Sequence, residues 1–245
     1  MPLYQSPNMH DNVLSQFSLK GKIVALTGAS ADVALISSSD SDAPETAAKL
    51  AAENGVRVQA YQSDEFGHGR LDVVVVNAGV CTNSPNLEYS EETWRRDSSA
   101  NYVGAMWTAQ AAGKIFKRQG KGNLIITASV SSILVTIPQT PVAYNASKAA
   151  VVHLTKSLPV EWSDLARVNC ISPGFIMTKM LTQQPKQLME KWPSMIPGRK
   201  ICDPAQPKRI CPSLSSGLAR HLNFSDAYCY MTRTNIVIDG GYALP

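Results

Sequence analysis

Apolar residues along the chain fall into short, nearly continuous runs rather than alternating ones. Five occupy residues 23–27, 33–36, 56–61, 71–76 and 124–127, and two more come late, at 167–171 and 235–238. Runs that are apolar at successive positions fit strands buried on both faces, as in a parallel sheet covered by helices. Helical patterns lie between several of them. Residues 43–54 are Ala-rich, open near Asp42 and Pro44, and stop before Gly55, a residue suited to ending a helix. Residues 91–119 predict a long helix entered through Ser90 as N-cap and left through Gly120. Residues 144–162 predict another, which Pro159 should kink or shorten. Alternation of strand and helix implies α/β architecture with a doubly wound parallel sheet. The reading is one domain over residues 19–245, preceded by a loose arm, 1–18.

Two connections are too short for this plan. Only Ala29, Ser30, Ala31 and Asp32 separate Gly28 from Val33, whereas parallel neighbours need a crossover of about a dozen residues or more. Either the two runs pair as a hairpin or one of them is not a core strand. Residues 62–70 are similarly few, and Gly67 and Gly69 discourage a helix there. Residues 200–223 carry Pro204, Pro207 and Pro212 and read as irregular and solvent-facing.

Composition adds exclusions. Apolar residues make up 44% and charged residues 17%, which argues against disorder. The net charge of +4 is scattered, with short groupings at Arg95-Arg96 and Lys117-Arg118 that read as solvated helix faces; no nucleic-acid partner is expected. No run approaches the length that spans a bilayer, and the first seventeen residues lack an apolar leader pattern, so neither a membrane nor a secretory route is expected. Cys81, Cys170, Cys202, Cys211 and Cys229 show no CxxC spacing and read as reduced thiols in a cytoplasmic protein, with no metal site.

Candidate chemistry gathers at strand ends. Tyr144 and Lys148 are four apart in a helical segment, which stacks both on one face. An ammonium beside a phenol favours phenolate and should lower its pKa, making a proton donor or acceptor suited to a carbonyl/alcohol pair. Ser131 lies thirteen residues earlier, just past the strand at 124–127, where open α/β sheets bind ligands. Its hydroxyl can steady charge on a substrate oxygen. Asn77-Ala78-Gly79 and Pro173-Gly174 also follow strands, and small residues there let a flat ligand approach the backbone. Asn101 is a polar interruption of the long helix, able to bond water or main chain near the site.

Taken together, Thr27-Gly28, Asn77-Ala78-Gly79, Asn101, Ser131, Tyr144-Asn-Ala-Ser-Lys148 and Pro173-Gly174 resemble the short-chain dehydrogenase/reductase family in its compact single-domain, Rossmann-like form. Phe175-Ile176-Met177-Thr178 and Asp239-Gly240-Gly241-Tyr242 resemble the fungal mannitol and sorbose reductase group. The resemblance implies hydride transfer between NADP(H) and a small ketone or ketose, or the matching secondary alcohol or polyol. It implies Tyr144 as general acid, Lys148 as its electrostatic support and ribose ligand, Ser131 as holder of the substrate oxygen, and Asn101 as support of a relay water. Gly28, Asp64, Asn77, Gly79, Pro173, Gly174, Ile176 and Thr178 would line the cofactor, and residues 177–199 would form the substrate lid. It also implies a homo-oligomer, a tetramer, with the long helices at an interface.

The chain departs from the family where the pyrophosphate is normally held. After Thr27-Gly28 the remaining glycines of the phosphate turn are absent, and so is room for the first helix, so the first β-α-β unit is truncated. Backbone-phosphate hydrogen bonds are lost with them, and poor dinucleotide binding is expected. Arg233 also stands where the family usually has glycine. For cofactor choice, Ser37, Ser38 and Ser39 follow the second strand in place of an acidic residue, which tolerates a 2′-phosphate and favours NADP(H). A second reading stays open: a cofactor-deficient, non-catalytic relative acting as a scaffold or subunit, or a chain translated from a faulty gene model.

Overall fold

Val73–Val76 is the clearest strand, because all four of its valines are buried. Val74 and Val76 enter one apolar cluster and Val73 and Val75 another, so the strand is covered on both sides, as its unbroken apolar run requires. The computed structural model describes residues 24–27, 33–37, 58–62, 71–139, 141–202 and 229–244. The predicted arm, the helix at 43–54 and the Pro-rich stretch beyond residue 202 lie outside these residues.

All seven predicted strands form: β1 (Val24–Leu26), β2 (Val33–Ser37), β3 (Val58–Gln62), β4 (Val73–Val76), β5 (Asn123–Thr127), β6 (Arg167–Pro173) and β7 (Asn235–Ile238). Five of them make one parallel sheet in the order β1-β4-β5-β6-β7. The short β1–β2 connection resolves against a hairpin. β2 pairs in parallel with β3 in a separate two-stranded sheet, and β1 pairs with β4 instead. With β1 ending at Leu26 and β2 starting at Val33, no crossover helix fits between them. The first unit of the doubly wound plan is thus shortened in the fold as in the sequence.

Helices α1 (Glu91–Ser98), α2 (Gly104–Gln119), α3 (Val142–Glu161), α4 (Lys179–Thr182) and α5 (Lys186–Met195) follow. The predicted helix at 91–119 is one rod with a change of winding: α1 and α2 are joined by a π-helical turn, Ser99–Val103. Its ends are as expected. The Thr93 amide donates to the Ser90 hydroxyl at 3.1 Å, and Gly120 closes α2 in the left-handed region, φ 75°. Ala105, Ala109, Ala112, Ile115 and Phe116 of α2 pack with Val151 and Leu158 of α3 against the sheet. Pro159 neither stops α3 early nor displaces its end by more than one residue. It sits in the last turn, where only one main-chain hydrogen bond is lost.

Among the described residues no helix is long and apolar enough to cross a membrane. Cys81, Cys170 and Cys229 are free thiols. Cys202 is in a disulfide, which corrects the reading of every cysteine as reduced. Arg233 takes φ 64°, a conformation that favours glycine, at the turn leading into β7. Replacing it tests that strain. Arg233→Gly should raise stability by about 0.5–1 kcal/mol, the side-chain strain relieved less the glycine's extra entropy. A melting temperature that falls would contradict this.

Candidate active site

The carboxyl end of β5 is where the site begins. Thr127 ends the strand, and the Ala128 amide continues the ladder to the Ile171 carbonyl at 2.8 Å. Ser129 then turns extended and its hydroxyl accepts from the Ser131 amide at 3.1 Å, opening a one-turn 3-10 helix, Val130–Ser132. The Ser132 hydroxyl donates back to the Ser129 carbonyl at 2.6 Å. These bonds hold the Ser129 side chain in one orientation.

The hydroxyl hydrogen-bonded to the Tyr144 phenol belongs to Ser129, not to the expected Ser131. Ser131 is buried one turn further on, with its amide spent on Ser129. Ser129 stands two residues past the strand, so measuring from the end of β5 would have found it. Measuring backward from Tyr144 crosses a connection of no regular geometry. Parallel variants separate the two. Ser129→Ala should cost about 100-fold in kcat/KM, and Ser131→Ala less than about threefold. The reverse order would restore Ser131.

Tyr144 and Lys148 share one face of α3 as their spacing requires, with the Lys148 Nζ 5.5 Å from the centre of the Tyr144 ring. Lys148 is buried and donates to the Thr127 carbonyl at 2.7 Å, which ties α3 to the end of β5. One of its three donors is taken there, leaving others for a ligand hydroxyl. The expected lowering of the phenol pKa is not what this arrangement produces. Burial pushes Tyr144 up to about 12, with the Ser129 hydrogen bond opposing and nearby Cys81 adding to the rise. Burial likewise pushes Lys148 down to about 8. Desolvation is the largest cause of both shifts, and at neutral pH the phenol keeps its proton.

Asn101 sits in the π turn, buried, with both ends of its amide used. Its Oδ1 accepts from the Val80 amide at 2.7 Å, and its Nδ2 donates to the Val80 carbonyl at 2.8 Å and to the Ser147 hydroxyl at 3.1 Å. A π turn shifts the register of the helix and aims one residue out of line, a common arrangement at functional sites. Asn101 thus clamps the 80-loop to α3. Gly79 lies inside this group: a β-carbon there would stand 3.1 Å from Asn101 Oδ1 and 3.4 Å from Lys148 Nζ. Upstream, the Thr27 hydroxyl accepts from the amides of Asn77 at 3.0 Å and Ala78 at 3.2 Å, holding this loop to β1. Cys81, unforeseen, lies within electrostatic reach of both Tyr144 and Lys148, and burial pushes its thiol up to about 11.

A second arm of the site leaves β6. Pro173 is its last residue, and the Gly174 amide donates to the Ile238 carbonyl at 3.0 Å. A β-carbon on Gly174 would stand 2.7 Å from that of Asp239, so no larger residue fits. Ile176 bridges to Cys202, and the Thr178 carbonyl receives the amides of Leu181 and Thr182 at the start of α4. The structure thus joins Asn101, Gly79, Lys148 and Tyr144 directly, adds Ser129, and places Pro173 at the end of the neighbouring strand with Gly174 just beyond it. Gly28 and Asp64 lie outside the described residues.

For a nicotinamide cofactor the fit is good where it can be followed. The buried Lys148 ammonium beside Gly79, with donors to spare, is suited to the hydroxyls of a ribose. Residues 24–243 match the family model described as enoyl-(acyl carrier protein) reductase. The chain is 38% identical over 260 positions to a sorbose reductase of Schizosaccharomyces pombe, covering 93% of this chain and 98% of the relative. It is 36% identical over 264 positions to an NADP-dependent mannitol dehydrogenase of Hypocrea jecorina, covering 95% and 96%. Both aligned lengths exceed the 245 residues of this chain, so these relatives carry segments that it lacks. Among solved structures, the NADPH-dependent 3-quinuclidinone reductase of Rhodotorula rubra superposes with a TM-score of 0.77 at 33% identity, over 99% of this chain and 98% of that one. A parallel sheet bearing a Tyr-x-x-x-Lys helix, matched along nearly its whole length by such relatives, makes this chain an oxidoreductase of the short-chain dehydrogenase/reductase family.

Proposed function

We propose that this protein reduces a small ketone or ketose with NADPH and runs the reverse oxidation of the matching polyol. The observation that carries the reading is the Tyr144 phenol, hydrogen-bonded to Ser129 and set beside the buried Lys148 ammonium. The relatives named sorbose reductase and mannitol dehydrogenase support the substrate class, and the NADP in the name of the mannitol dehydrogenase supports the cofactor. The cofactor supplies the hydride. Tyr144 gives its proton to the carbonyl oxygen as charge builds there. Ser129 holds that oxygen by a hydrogen bond, and Lys148 stabilises the phenolate left behind. Asn101 keeps Gly79 and Lys148 in register. Asn77, Gly79, Pro173, Gly174, Ile176 and Thr178 line the cofactor in this reading, with Gly28 and Asp64 on the adenosine side.

The cytoplasm is the proposed setting, supported by three free thiols, with the Cys202 disulfide standing against it. A homo-oligomer is proposed from Trp94, Tyr102, Val103 and Trp107, large apolar residues left exposed along the α1–α2 rod. The test of function is turnover of fructose or sorbose by the purified chain with NADPH and, separately, NADH. Reduction that prefers NADPH is expected; no oxidation of either cofactor with any small ketone would remove the reading.

A second reading, a non-catalytic subunit, is favoured by one observation, the missing crossover between β1 and β2. Titration of reduced-cofactor fluorescence separates the two. Micromolar binding excludes the scaffold, and no binding up to millimolar cofactor supports it.

A further inference from the structure

We propose that Tyr242, Phe175 and Trp192 form a clamp that positions the substrate lid against the wall of the active site. The proposal rests on the catalytic reading above for its effect on substrate, but not for its geometry. The lid is the excursion that leaves β6 after Gly174 and returns at Cys202. Its two ends are pinned together: the Met177 amide donates to the Cys202 carbonyl at 2.8 Å, and the Cys202 amide to the Phe175 carbonyl at 3.1 Å. Between these pins Trp192 and Ile196 alone are buried among the described side chains, at 0% and 2% exposure. The other described side chains of α4 and α5 keep surface in solvent. A segment held at so few points opens locally at low cost.

Trp192 is held by stacking. Its ring lies 4.8 Å from that of Phe175, tilted 21°, and its indole N–H has no hydrogen-bond partner. The other side of the contact is Tyr242, whose ring centre is 5.0 Å from Phe175. Phe175 directly follows Gly174 and precedes Ile176, so the stack stands at the base of the cofactor arm. The Tyr242 hydroxyl is hydrogen-bonded to the main chain of Ile137. Ile137 belongs to the connection that runs from the Ser129 turn to the start of α3. Tyr242 is itself held rigidly. Gly240 and Gly241 take φ 69° and 88°, and the Asp239 carboxylate accepts from the amides of Gly241 at 2.8 Å and Ala243 at 2.5 Å. One C-terminal turn therefore joins the lid, the exit of β6 and the loop between the catalytic serine and the catalytic tyrosine. Movement of any one strains the other two.

Tyr242→Phe tests the clamp by removing the tie to Ile137 while keeping the ring stack. Two readouts are needed, kinetics and trypsin cleavage at the exposed Lys186 and Lys191 of α5. The clamp predicts about fivefold faster cleavage at these sites and about a fivefold higher KM for the ketone. It also predicts kcat within twofold and an unchanged dissociation constant for reduced cofactor. Trp192→Leu, which removes the stack, should speed cleavage further. Unchanged cleavage in both variants overturns the clamp, and so does a loss of kcat and cofactor binding in step with KM, the mark of general damage. If the chain turns over no ketone, the catalytic reading fails, and cleavage rates alone still decide the clamp.

Discussion

Tyr144→Phe should lower kcat/KM for carbonyl reduction by about a thousandfold while leaving the fold and reduced-cofactor binding intact. The substitution removes one oxygen. What disappears is the phenol hydroxyl that is hydrogen-bonded to Ser129 and that supplies the proton in the proposed reaction. The ring remains to pack against Lys148, so stability should change by less than about 1 kcal/mol. The pH profile adds a sign. Reduction needs a protonated phenol and is helped by a charged Lys148, and both are lost as pH rises. With Lys148 pushed down to about 8 and Tyr144 up to about 12, the lysine is the first to go. The kcat/KM for reduction should therefore be level below about pH 8 and fall above it. Oxidation of the polyol needs the phenolate instead and should gain with rising pH until the lysine is neutral. A variant that keeps a tenth of wild-type activity, or a reduction profile that rises through pH 8, would show that Tyr144 is not the proton donor.

The second large effect is on stability. Asp97 is fully buried at the end of α1, and its carboxylate gathers five hydrogen bonds. The Thr82 amide and hydroxyl reach it at 3.2 and 3.1 Å, the Tyr89 hydroxyl at 2.7 Å, and Arg96 through Nε at 3.2 Å and Nη2 at 2.9 Å. Asp97 thus sews the 80-loop onto the helix that carries Asn101. Arg96 is half exposed and can turn to solvent if the carboxylate goes. The Thr82 and Tyr89 groups, being part-buried, cannot do so as freely. Asp97→Ala should cost about 3 kcal/mol, lowering Tm by about 6–12 °C in a chain of this size. Because Val80 and Cys81 are in the same loop, activity should fall with it. A loss below about 1 kcal/mol would mean that water replaces the carboxylate and the network is ornamental.

Much of this architecture is legible in the residues. Seven apolar runs become seven strands, and the unbroken apolar character of β4 is matched by cover on both of its faces. The Tyr144–Lys148 pair follows from helical periodicity alone, because four residues along a helix always return to one face. The absent crossover follows from counting residues between Leu26 and Val33. Each of these is local: it depends on spacing within one element or on the reach of a few residues.

What the spacing could not supply depends on segments that meet in space. The Tyr144 phenol is hydrogen-bonded to Ser129, the residue that caps the 3-10 turn, and sequence distance has no fixed direction across an irregular connection. The phenol rises in pKa rather than falling because desolvation depends on what packs around it, not on which residue is four positions away. Asn101 reaches Val80 and Ser147 through a π turn that no periodicity announces. The sequence alone therefore determined the strands, the Tyr144–Lys148 helix and the shortened first unit, whereas the contact between Ser129 and Tyr144, the upward shift of the phenol and the stacking of Trp192 on Phe175 were decided by tertiary packing. Hydrogen-bond direction and burial are properties of neighbours, and neighbours exist only once the chain has folded.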